Sequence, residues 1–419
     1  MKKIVTASVA AVAMGLGALT VAAPGNAAPQ SSITGQIIVK FRDSGAAGGV
    51  LRQNGLSEGA GIGSTGAHLI KVPAGKESQL IEALTRNPAV EYAERDELVT
   101  AATADEYFKS QYALQNEGQS FTNTAGTLTV DGGTKDADVD AVEAWPTTRG
   151  SGTRVAIVDS GVAIDHDDIS DKVVARANFS DTKIVNPEDY DKYGHGTHVA
   201  GIVAATHNSI GVAGVCPDCT ILDAKVLNSS GVGSSSAIAN GINWAVEKGA
   251  KVINMSLGQR VSSRTLETAV NNAWKRGVVM VAAAGNAGTQ AKIYPGAYSN
   301  VIAVAATDNR DVKASFSTYG RWVDIAAPGV NVYSTFPNHP FVLGTQNGRS
   351  TGYDIGSGTS MAAPIVAGVA ALVWNTPAGT ANSTVREKVQ STADNIDGTG
   401  TLWEHGRVNA CEAVAGDCP

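Results

Sequence analysis

Three short stretches carry the residue types that nucleophilic acyl transfer requires: a carboxylate, an imidazole and a hydroxyl. Asp159 ends the apolar stretch RVAIVD, His195 lies in GHGTH, and Ser360 lies in GTSMAAP. A serine hydroxyl is a weak nucleophile at neutral pH, so an imidazole must take its proton while a buried carboxylate orients the ring. Together the three stretches predict a Ser/His/Asp site. His198, on the same predicted helix as His195, is expected to pack or hydrogen-bond instead of reacting.

Alternating strands and helices surround these residues and predict an α/β fold with a parallel sheet. Arg154–Asp159 has the continuous apolar character of a strand buried on both faces, and its carboxyl end is where such folds place ligands. A helix is predicted at His195–Ala205, and another opens in the stretch around Ser360, where free backbone N–H groups can stabilise an oxyanion. Further strands are predicted at Ile221–Val226, Lys251–Leu257, Val278–Ala284, Val301–Ala306 and Val323–Ala326, helices at Ser235–Lys248 and Thr265–Arg276, and long surface loops at Pro337–Gly358.

The composition excludes several classes of protein. The chain has 419 residues, 43% of them hydrophobic and 17% charged, which is too apolar for a disordered chain. Its 47 glycines do not fit a coiled coil. Lys and Arg number 32 against 39 Asp and Glu, for a net charge of −7, so no nucleic-acid partner is expected.

The amino terminus has the pattern of a secretory signal peptide. Lys2 and Lys3 precede an uncharged apolar stretch, and the small residues Ala27 and Ala28 mark the expected cleavage site. A membrane anchor is the alternative, but the small residues follow directly, without a stop-transfer flank. We therefore expect residues 1–28 to be removed and the mature protein to be secreted, extracellular and free of the membrane.

Residues 29–100 read as a small α+β unit. Strands are predicted at Gln36–Phe41, Ala67–Val72 and Val90–Ala93, a helix at Lys76–Arg86, and a glycine-rich loop at Gly45–Gly66. The remainder, residues 101–419, forms the large domain that holds the three reactive residues.

The whole stretch Asp105–Val414 resembles the subtilisin-like serine proteases, or subtilases. VAIVDSG, GHGTHVAG and GTSMAAP are the signature stretches of that family, in the Asp, His, Ser order of subtilisin. The start DEYF and the stretch SFSTYG are most similar to the thermitase branch. The resemblance implies a parallel-sheet catalytic domain wrapped by helices, preceded by a small α+β ferredoxin-like prodomain. It also implies a monomeric, secreted serine endopeptidase with no organic cofactor.

The resemblance assigns roles to four residues. Ser360 would be the nucleophile, His195 the general base and then acid, and Asp159 the orienting carboxylate. Asn286, in VAAAGN, matches the amide that binds the oxyanion together with the Ser360 N–H.

The resemblance also indicates how a peptide is bound, with broad specificity and an apolar preference. Two strand segments would sandwich an extended peptide by backbone hydrogen bonds. Ala284 and Gly285 would line the pocket before the scissile bond, and Ile293 would lie near its floor. The sandwiching segments are Gly231, Val232 and Gly233 on one side and Ser256, Leu257 and Gly258 on the other.

The family often binds calcium at a loop that follows the catalytic His helix, and calcium prefers oxygen ligands. The alternative is an ordinary Asn-Ser-Ile-Gly turn. The expected ligands are Asp168, Asn208, the carbonyls of Thr206, Ile210 and Val212, and Asp105.

Four cysteines allow three pairings, and secretion favours disulfides. We expect the local pairs Cys216–Cys219 and Cys411–Cys418. A CPDC half-site for zinc is the alternative, but no suitably spaced second pair of ligands accompanies it. A redox motif is a further alternative, but it lacks a thioredoxin-like context.

The segment before Thr100 resembles the inhibitor-type prodomain of the family, and a disordered linker is the alternative. Its tail, Leu98–Ala101, would lie in the substrate cleft until autoprocessing cuts between Thr100 and Asp105. The partners are then protein or peptide substrates and the chain's own prodomain, which acts as chaperone and inhibitor.

Two other functions are possible for an α/β chain with these residues. An α/β-hydrolase esterase would show Gly-x-Ser-x-Gly and the order Ser, Asp, His, which this sequence does not have. An inactive binding protein of the same fold would normally lack one member of the triad.

Overall fold

The computed structural model describes residues 32–97, 105–416 and Cys418. The described residues fall into two compact units, 32–97 in the first and all those from Asp105 onwards in the second. The predicted signal peptide lies outside the described residues, and so does most of the predicted cleavage segment. Within the described part of the chain, no helix is both long and apolar enough to cross a membrane.

The N-terminal unit is a four-stranded antiparallel sheet with two helices. Its elements are β1 (Ser32–Phe41), α1 (Ala47–Gln53), β2 (Ala60–Gly61), β3 (Ala67–Lys71), α2 (Glu77–Thr85) and β4 (Val90–Glu97). The sheet order is β2-β3-β1-β4. This βαββαβ order is the expected ferredoxin-like arrangement.

The prediction of a loop throughout Gly45–Gly66 is wrong, because α1 lies within it. Val50 and Leu51 of this helix are buried in one cluster with Ile37 and Ile70 of the sheet. Burial of this apolar face outweighs the low helix propensity of the two glycines in α1.

The second unit is built on a seven-stranded parallel sheet in the order β13-β12-β11-β10-β7-β9-β8. Its strands are β5 (Phe121–Thr122), β6 (Thr129–Val130), β7 (Arg154–Asp159), β8 (Val173–Asn178), β9 (Thr220–Lys225), β10 (Val252–Met255), β11 (Val279–Ala283), β12 (Ile302–Thr307), β13 (Ile325–Pro328), β14 (Val332–Thr335) and β15 (Tyr353–Gly356). Its helices are α3 (Ala141–Ala144), α4 (His195–Ala204), α5 (Ser235–Glu247), α6 (Arg264–Lys275), α7 (Val342–Asn347), α8 (Thr359–Trp374), α9 (Asn382–Ser391) and α10 (Ala410–Val414).

The sheet lies between two apolar layers. Residues of α4 and α8 pack on one face, and residues of α5 and α6 pack on the other. Sheet residues alternate between the two clusters, as in Val155 and Ala156 of β7. Both faces are therefore covered, which explains why the strands are continuously apolar in sequence.

The prediction of surface loops across Pro337–Gly358 is wrong in part. The helix α7 and the strand β15 lie in this segment, and β15 pairs antiparallel with β14. Phe341 and Ile355 are buried there, so the segment has its own apolar contacts. The polar and glycine-rich residues around them hide this pattern in the sequence.

Candidate active site

Asp159 is the last residue of β7 and is fully buried. Its Oδ1 accepts hydrogen bonds from His195 Nδ1 at 2.7 Å and from the Ser160 backbone N–H at 2.7 Å. Because Asp159 offers only acceptors, these contacts place the imidazole proton on Nδ1 and leave Nε2 free to accept a proton.

His195 begins α4, directly after Gly194, whose φ is +93°. Close backbone contact brings the helix against the end of β7, because a Cβ on Gly196 would lie 2.2 Å from the Gly161 carbonyl oxygen. Burial lowers the pKa of His195, but the charge and hydrogen bond of Asp159 outweigh that effect and leave the pKa above its usual value.

A second buried carboxylate, Asp191, joins the two segments that carry Asp159 and His195. Its Oδ1 accepts hydrogen bonds from Ser160 Oγ at 2.8 Å and from the Gly194 N–H at 2.9 Å. Its Oδ2 accepts from the Thr197 N–H at 2.8 Å and from Thr197 Oγ1 at 2.6 Å. No sequence pattern points to Asp191, because an Asp in a loop rich in Asp and Tyr has no distinguishing spacing.

A buried lysine accompanies this network. Lys225 ends β9 beside Asp159, and its ammonium group donates a hydrogen bond to the Ser160 carbonyl. Burial lowers the pKa of Lys225, and the charges of Asp191, Asp223 and Asp159 oppose that effect. Burial likewise raises the pKa of Asp191, against the hydrogen bond from Thr197 and the charge of Lys225.

Ser360 is the second residue of α8. Its Oγ donates a 3.2 Å hydrogen bond to the Ser256 carbonyl, and Ser256 Oγ donates a 2.8 Å bond to the Ser360 carbonyl. No hydrogen bond links Ser360 to His195 among the described residues. Both nevertheless line one cavity of about 370 Å³, together with Asn286. Hydrogen bonds between catalytic groups are often loose before substrate binds.

The Asn286 side chain is oriented by the residue before Ser360. Its Oδ1 accepts hydrogen bonds from the Thr359 N–H at 2.9 Å and from Thr359 Oγ1 at 3.0 Å. Its Nδ2 donates to no partner in the described part of the chain. The Ser360 N–H lies in the first turn of α8, where amides have no intrahelical acceptor. Two donors are thus available beside the hydroxyl.

The six predicted sandwiching residues lie outside the regular strands and line a single cavity of about 300 Å³ beside His195. Ser256–Gly258 directly follows β10, whereas Gly231–Gly233 belongs to a turn after β9. The two segments face a common space that an extended chain could enter.

A neighbouring cavity of about 260 Å³ contains Gly285, Ile293 and Ser360. Added Cβ atoms on Gly258 and Gly285 would lie 2.5 and 2.8 Å from Ile293 side-chain atoms, so both glycines are in contact with this isoleucine. Ala284 is fully buried in another cluster, and its neighbours Ala283 and Gly285 line the cavity in its place.

The predicted calcium loop gathers two buried carboxylates. Asp168 Oδ2 accepts from the Val212 N–H at 2.9 Å, while its Oδ1 is buried with no partner among the described residues. Asp105 accepts from the Asn208 N–H at 2.8 Å and from His207 Nδ1 at 2.7 Å. Burial raises the pKa of Asp168 to about 7, and the Asp105 charge adds to the effect despite the Val212 bond. A buried carboxylate oxygen without a hydrogen-bond partner is suited to act as a ligand to a cation.

Among the remaining expectations, His198 is buried and its Nε2 contacts the Asp354 carbonyl oxygen at 3.3 Å. Burial lowers the pKa of His198 to about 3, so the ring is neutral. The predicted disulfides Cys216–Cys219 and Cys411–Cys418 are both formed.

Comparison with known proteins identifies the family. Residues 150–407 match the model of the subtilase family. The chain belongs to the subtilase family. Residues 20–96 match the fervidolysin N-terminal prodomain, a match that begins within the predicted signal peptide. The protein is therefore a subtilase serine endopeptidase with a fervidolysin-like prodomain.

Individual relatives agree with this subtilase assignment. The chain is 50% identical over 277 residues to thermitase from Thermoactinomyces vulgaris, covering 66% of this chain and 93% of thermitase. It is 39% identical over 390 residues to a thermophilic serine proteinase from a Bacillus species, covering 91% and 88% of the two chains. A solved protease from Pseudoalteromonas arctica superposes with a TM-score of 0.64 at 29% identity, covering 75% of this chain and 99% of that one.

Proposed function

We propose that Ser360, His195 and Asp159 form the catalytic triad of this endopeptidase, with Asn286 and the Ser360 N–H as oxyanion donors. The observation that carries the proposal is the 2.7 Å hydrogen bond between His195 Nδ1 and the buried Asp159 Oδ1. It leaves Nε2 unprotonated in the cavity that Ser360 also lines.

The reaction begins when the Ser360 side chain rotates away from the Ser256 carbonyl towards His195. His195 Nε2 takes the hydroxyl proton as Oγ attacks the peptide carbonyl carbon, and Asp159 stabilises the resulting imidazolium. The oxyanion receives hydrogen bonds from Asn286 Nδ2 and the Ser360 N–H. His195 then gives its proton to the leaving amine, which departs and leaves the acyl-enzyme. Water attacks the acyl carbon as His195 takes its proton, and Ser360 Oγ then leaves with the proton that His195 returns.

Peptide substrates bind as an extended chain between residues 231–233 and 256–258. The glycines there leave backbone edges open to hydrogen bonds. The side chain before the scissile bond enters the cavity of Gly285 and Ile293, where the isoleucine contacts Gly258 and Gly285 and limits the depth. Small and medium apolar side chains are preferred for that reason.

The Asp105 and Asp168 loop holds a calcium ion in this proposal. The partnerless Asp168 Oδ1 would be one ligand, and Asp105 would be another. The expected remaining ligands are the Asn208 side chain and the carbonyl oxygens of Thr206, Ile210 and Val212. The ion supplies positive charge that stabilises the fold, and it takes no part in the reaction.

The chain is made as a secreted zymogen, with residues 1–28 as signal peptide and residues 29–100 as prodomain. The catalytic domain, residues 101–419, removes the prodomain by cutting between Thr100 and Asp105 and works as a monomer. A Ser360→Ala protein should accumulate with its prodomain attached, whereas normal maturation of that variant would show that another protease makes the cut.

Hydrolysis of casein by the purified wild-type protein, and its loss in Ser360→Ala, tests the proposed function. An esterase would hydrolyse a short ester and leave casein intact. An inactive binding protein would hydrolyse neither and would retain bound peptide.

A further inference from the structure

The cavity of about 370 Å³ that contains His195 and Ser360 extends along a segment with no role in the proposed function so far. One wall of this cavity includes Phe336, Leu343 and Arg349, from the region between β14 and α8. Two other cavities, of about 300 and 260 Å³, are assigned above to the acyl side of the substrate, the part before the scissile bond. The cavity of about 370 Å³ shares lining residues with them only around the catalytic centre, at Tyr193, His195, Asn286 and Ser360. The wall therefore faces the space into which the leaving group must emerge.

The wall is fastened to the segment that precedes His195. The Val342 N–H donates to the Lys192 carbonyl at 3.0 Å, and the Leu343 N–H donates to the Tyr193 carbonyl at 3.2 Å. Phe341 fills the space beside Gly194, where an added Cβ would lie 2.2 Å from its ring. These contacts hold the wall in a fixed position relative to the segment that carries His195.

Arg349 is the charged side chain of this wall. It is half-buried, and its backbone N–H donates to the Gly344 carbonyl at 3.0 Å. Its guanidinium makes no ion pair or hydrogen bond within the described residues. The lining of the cavity, as far as the structure describes it, also includes no Asp or Glu.

The buried carboxylate of the same segment, Asp354, is satisfied by other donors. It accepts hydrogen bonds from the Ser350 N–H at 2.8 Å, from the Ile355 N–H at 2.7 Å and from Asn123 Nδ2 at 3.0 Å. Arg349 is therefore not needed to neutralise Asp354. A guanidinium held half out of water without a partner is suited to bind a carboxylate from outside.

We propose that this cavity is a subsite for the leaving-group side of the substrate, in which Arg349 selects a carboxylate. The carboxylate belongs to an Asp or Glu side chain soon after the scissile bond, or to the free carboxyl terminus of a short peptide. The inference rests on the proposed function, because only the acyl-side assignment of the other two cavities leaves this one to the leaving group.

Quenched fluorescent peptides with one fixed acyl side test this subsite. Glu or Lys is placed in turn at the first three leaving-group positions, and a parallel pair of short peptides ends in a free carboxylate or an amide. At low salt, wild-type enzyme should cleave at least one Glu peptide or the free acid with kcat/KM about fivefold above its counterpart, as expected for a partly exposed ion pair. The ratio should approach one in 1 M salt, which screens the charges.

Variants then assign the preference to Arg349. Arg349→Gln should bring the ratio close to one, and Arg349→Glu should reverse it, with folding checked by thermal melting. Arg321→Gln removes an exposed charge that lines none of these cavities, so it should keep the wild-type ratio. Equal ratios in wild type and Arg349→Gln would overturn the subsite alone. No cleavage of any peptide by the wild type would overturn the proposed function and the subsite with it.

Discussion

The Asp191 carboxylate accepts a 2.8 Å hydrogen bond from the Oγ of Ser160, the residue that follows Asp159. Ser160 Oγ in turn accepts a 2.9 Å bond from the Gly196 N–H, in the first turn of α4. The end of β7 and the start of α4 are thus joined through one buried acid. These bonds hold the segment that carries Asp159 against the segment that carries His195.

Asp191→Asn should lower kcat about 10- to 100-fold with little change in KM, because a small displacement of catalytic groups is costly. One amide nitrogen would replace an oxygen that now accepts two bonds. The Asp191 charge also raises the pKa of His195, behind the effects of burial and Asp159. Its loss lowers that pKa, so the neutral base persists to lower pH and the acid limb of kcat/KM moves to lower pH.

Asp189→Asn is the matched control for Asp191→Asn. Asp189 lies in the same loop, but it is only half-buried, and its carboxylate accepts only local bonds from the Val185 and Asn186 N–H groups. Its removal should leave the pH profile in place. An Asp191→Asn profile that coincides with the wild type would show that the buried acid acts on folding alone.

Asn286→Ala should lower kcat by about 10² to 10³ with a small effect on KM, the magnitude known for this amide donor in subtilisin. The oxyanion exists only in the transition state, so the loss falls on turnover. Steady-state kinetics on one peptide measure it, with Asn300→Ala as control, since Asn300 binds the Asn271 side chain away from the site. An unchanged kcat would remove Asn286 from the oxyanion site.

Ile293→Gly should deepen the pocket before the scissile bond. The side chain contacts Gly258 and Gly285, so its removal opens space at the floor. The ratio of kcat/KM for Phe over Ala at that substrate position should rise about tenfold or more, as each methylene group contributes to discrimination. Exposed Val261 offers a control, Val261→Gly, that should leave the ratio unchanged. Equal ratios in Ile293→Gly and wild type would place the floor elsewhere.

Calcium should raise the melting temperature of the inhibited enzyme more at pH 8 than at pH 5. Without metal, the folded-state pKa of Asp168 is about 7, above the usual 3.8. The folded state then binds more protons than the unfolded state between these values, so metal-free stability falls as pH rises through this window. Calcium replaces the proton and needs the ionised Asp168 carboxylate, so the stabilisation by calcium grows as the pH rises through the same range.

Asp168→Asn should abolish most of this calcium dependence, and the exposed Asp171→Asn should preserve it. If EDTA leaves the melting temperature of the wild type unchanged at pH 8, the loop holds no calcium.

The sequence predicts the parallel sheet and the triad stretches because buried strands and helix starts leave strong local patterns. Arg154–Asp159 is found as a strand with the predicted bounds. The strand β8 went unpredicted, since its residues are partly exposed and include polar side chains. Its position is set by pairing with β9, which local sequence does not encode.

The parts of the site that escaped prediction depend on contacts distant in sequence. Asp191 matters because its loop folds against Ser160, 31 residues away. Arg349 matters because hydrogen bonds hold the start of α7 beside the segment that precedes His195. The glycines and polar residues around α7 conceal this contact in the sequence. Only tertiary structure shows which loop polar groups turn towards the reactive centre.

The most direct test of the proposed triad is covalent labelling of the full chain with a fluorophosphonate, followed by peptide mapping. We expect a single adduct on Ser360 in the wild type, and loss of labelling in His195→Ala, because the imidazole must take the hydroxyl proton. An adduct on another serine, or undiminished labelling of Ser360 in His195→Ala, would contradict the proposed triad.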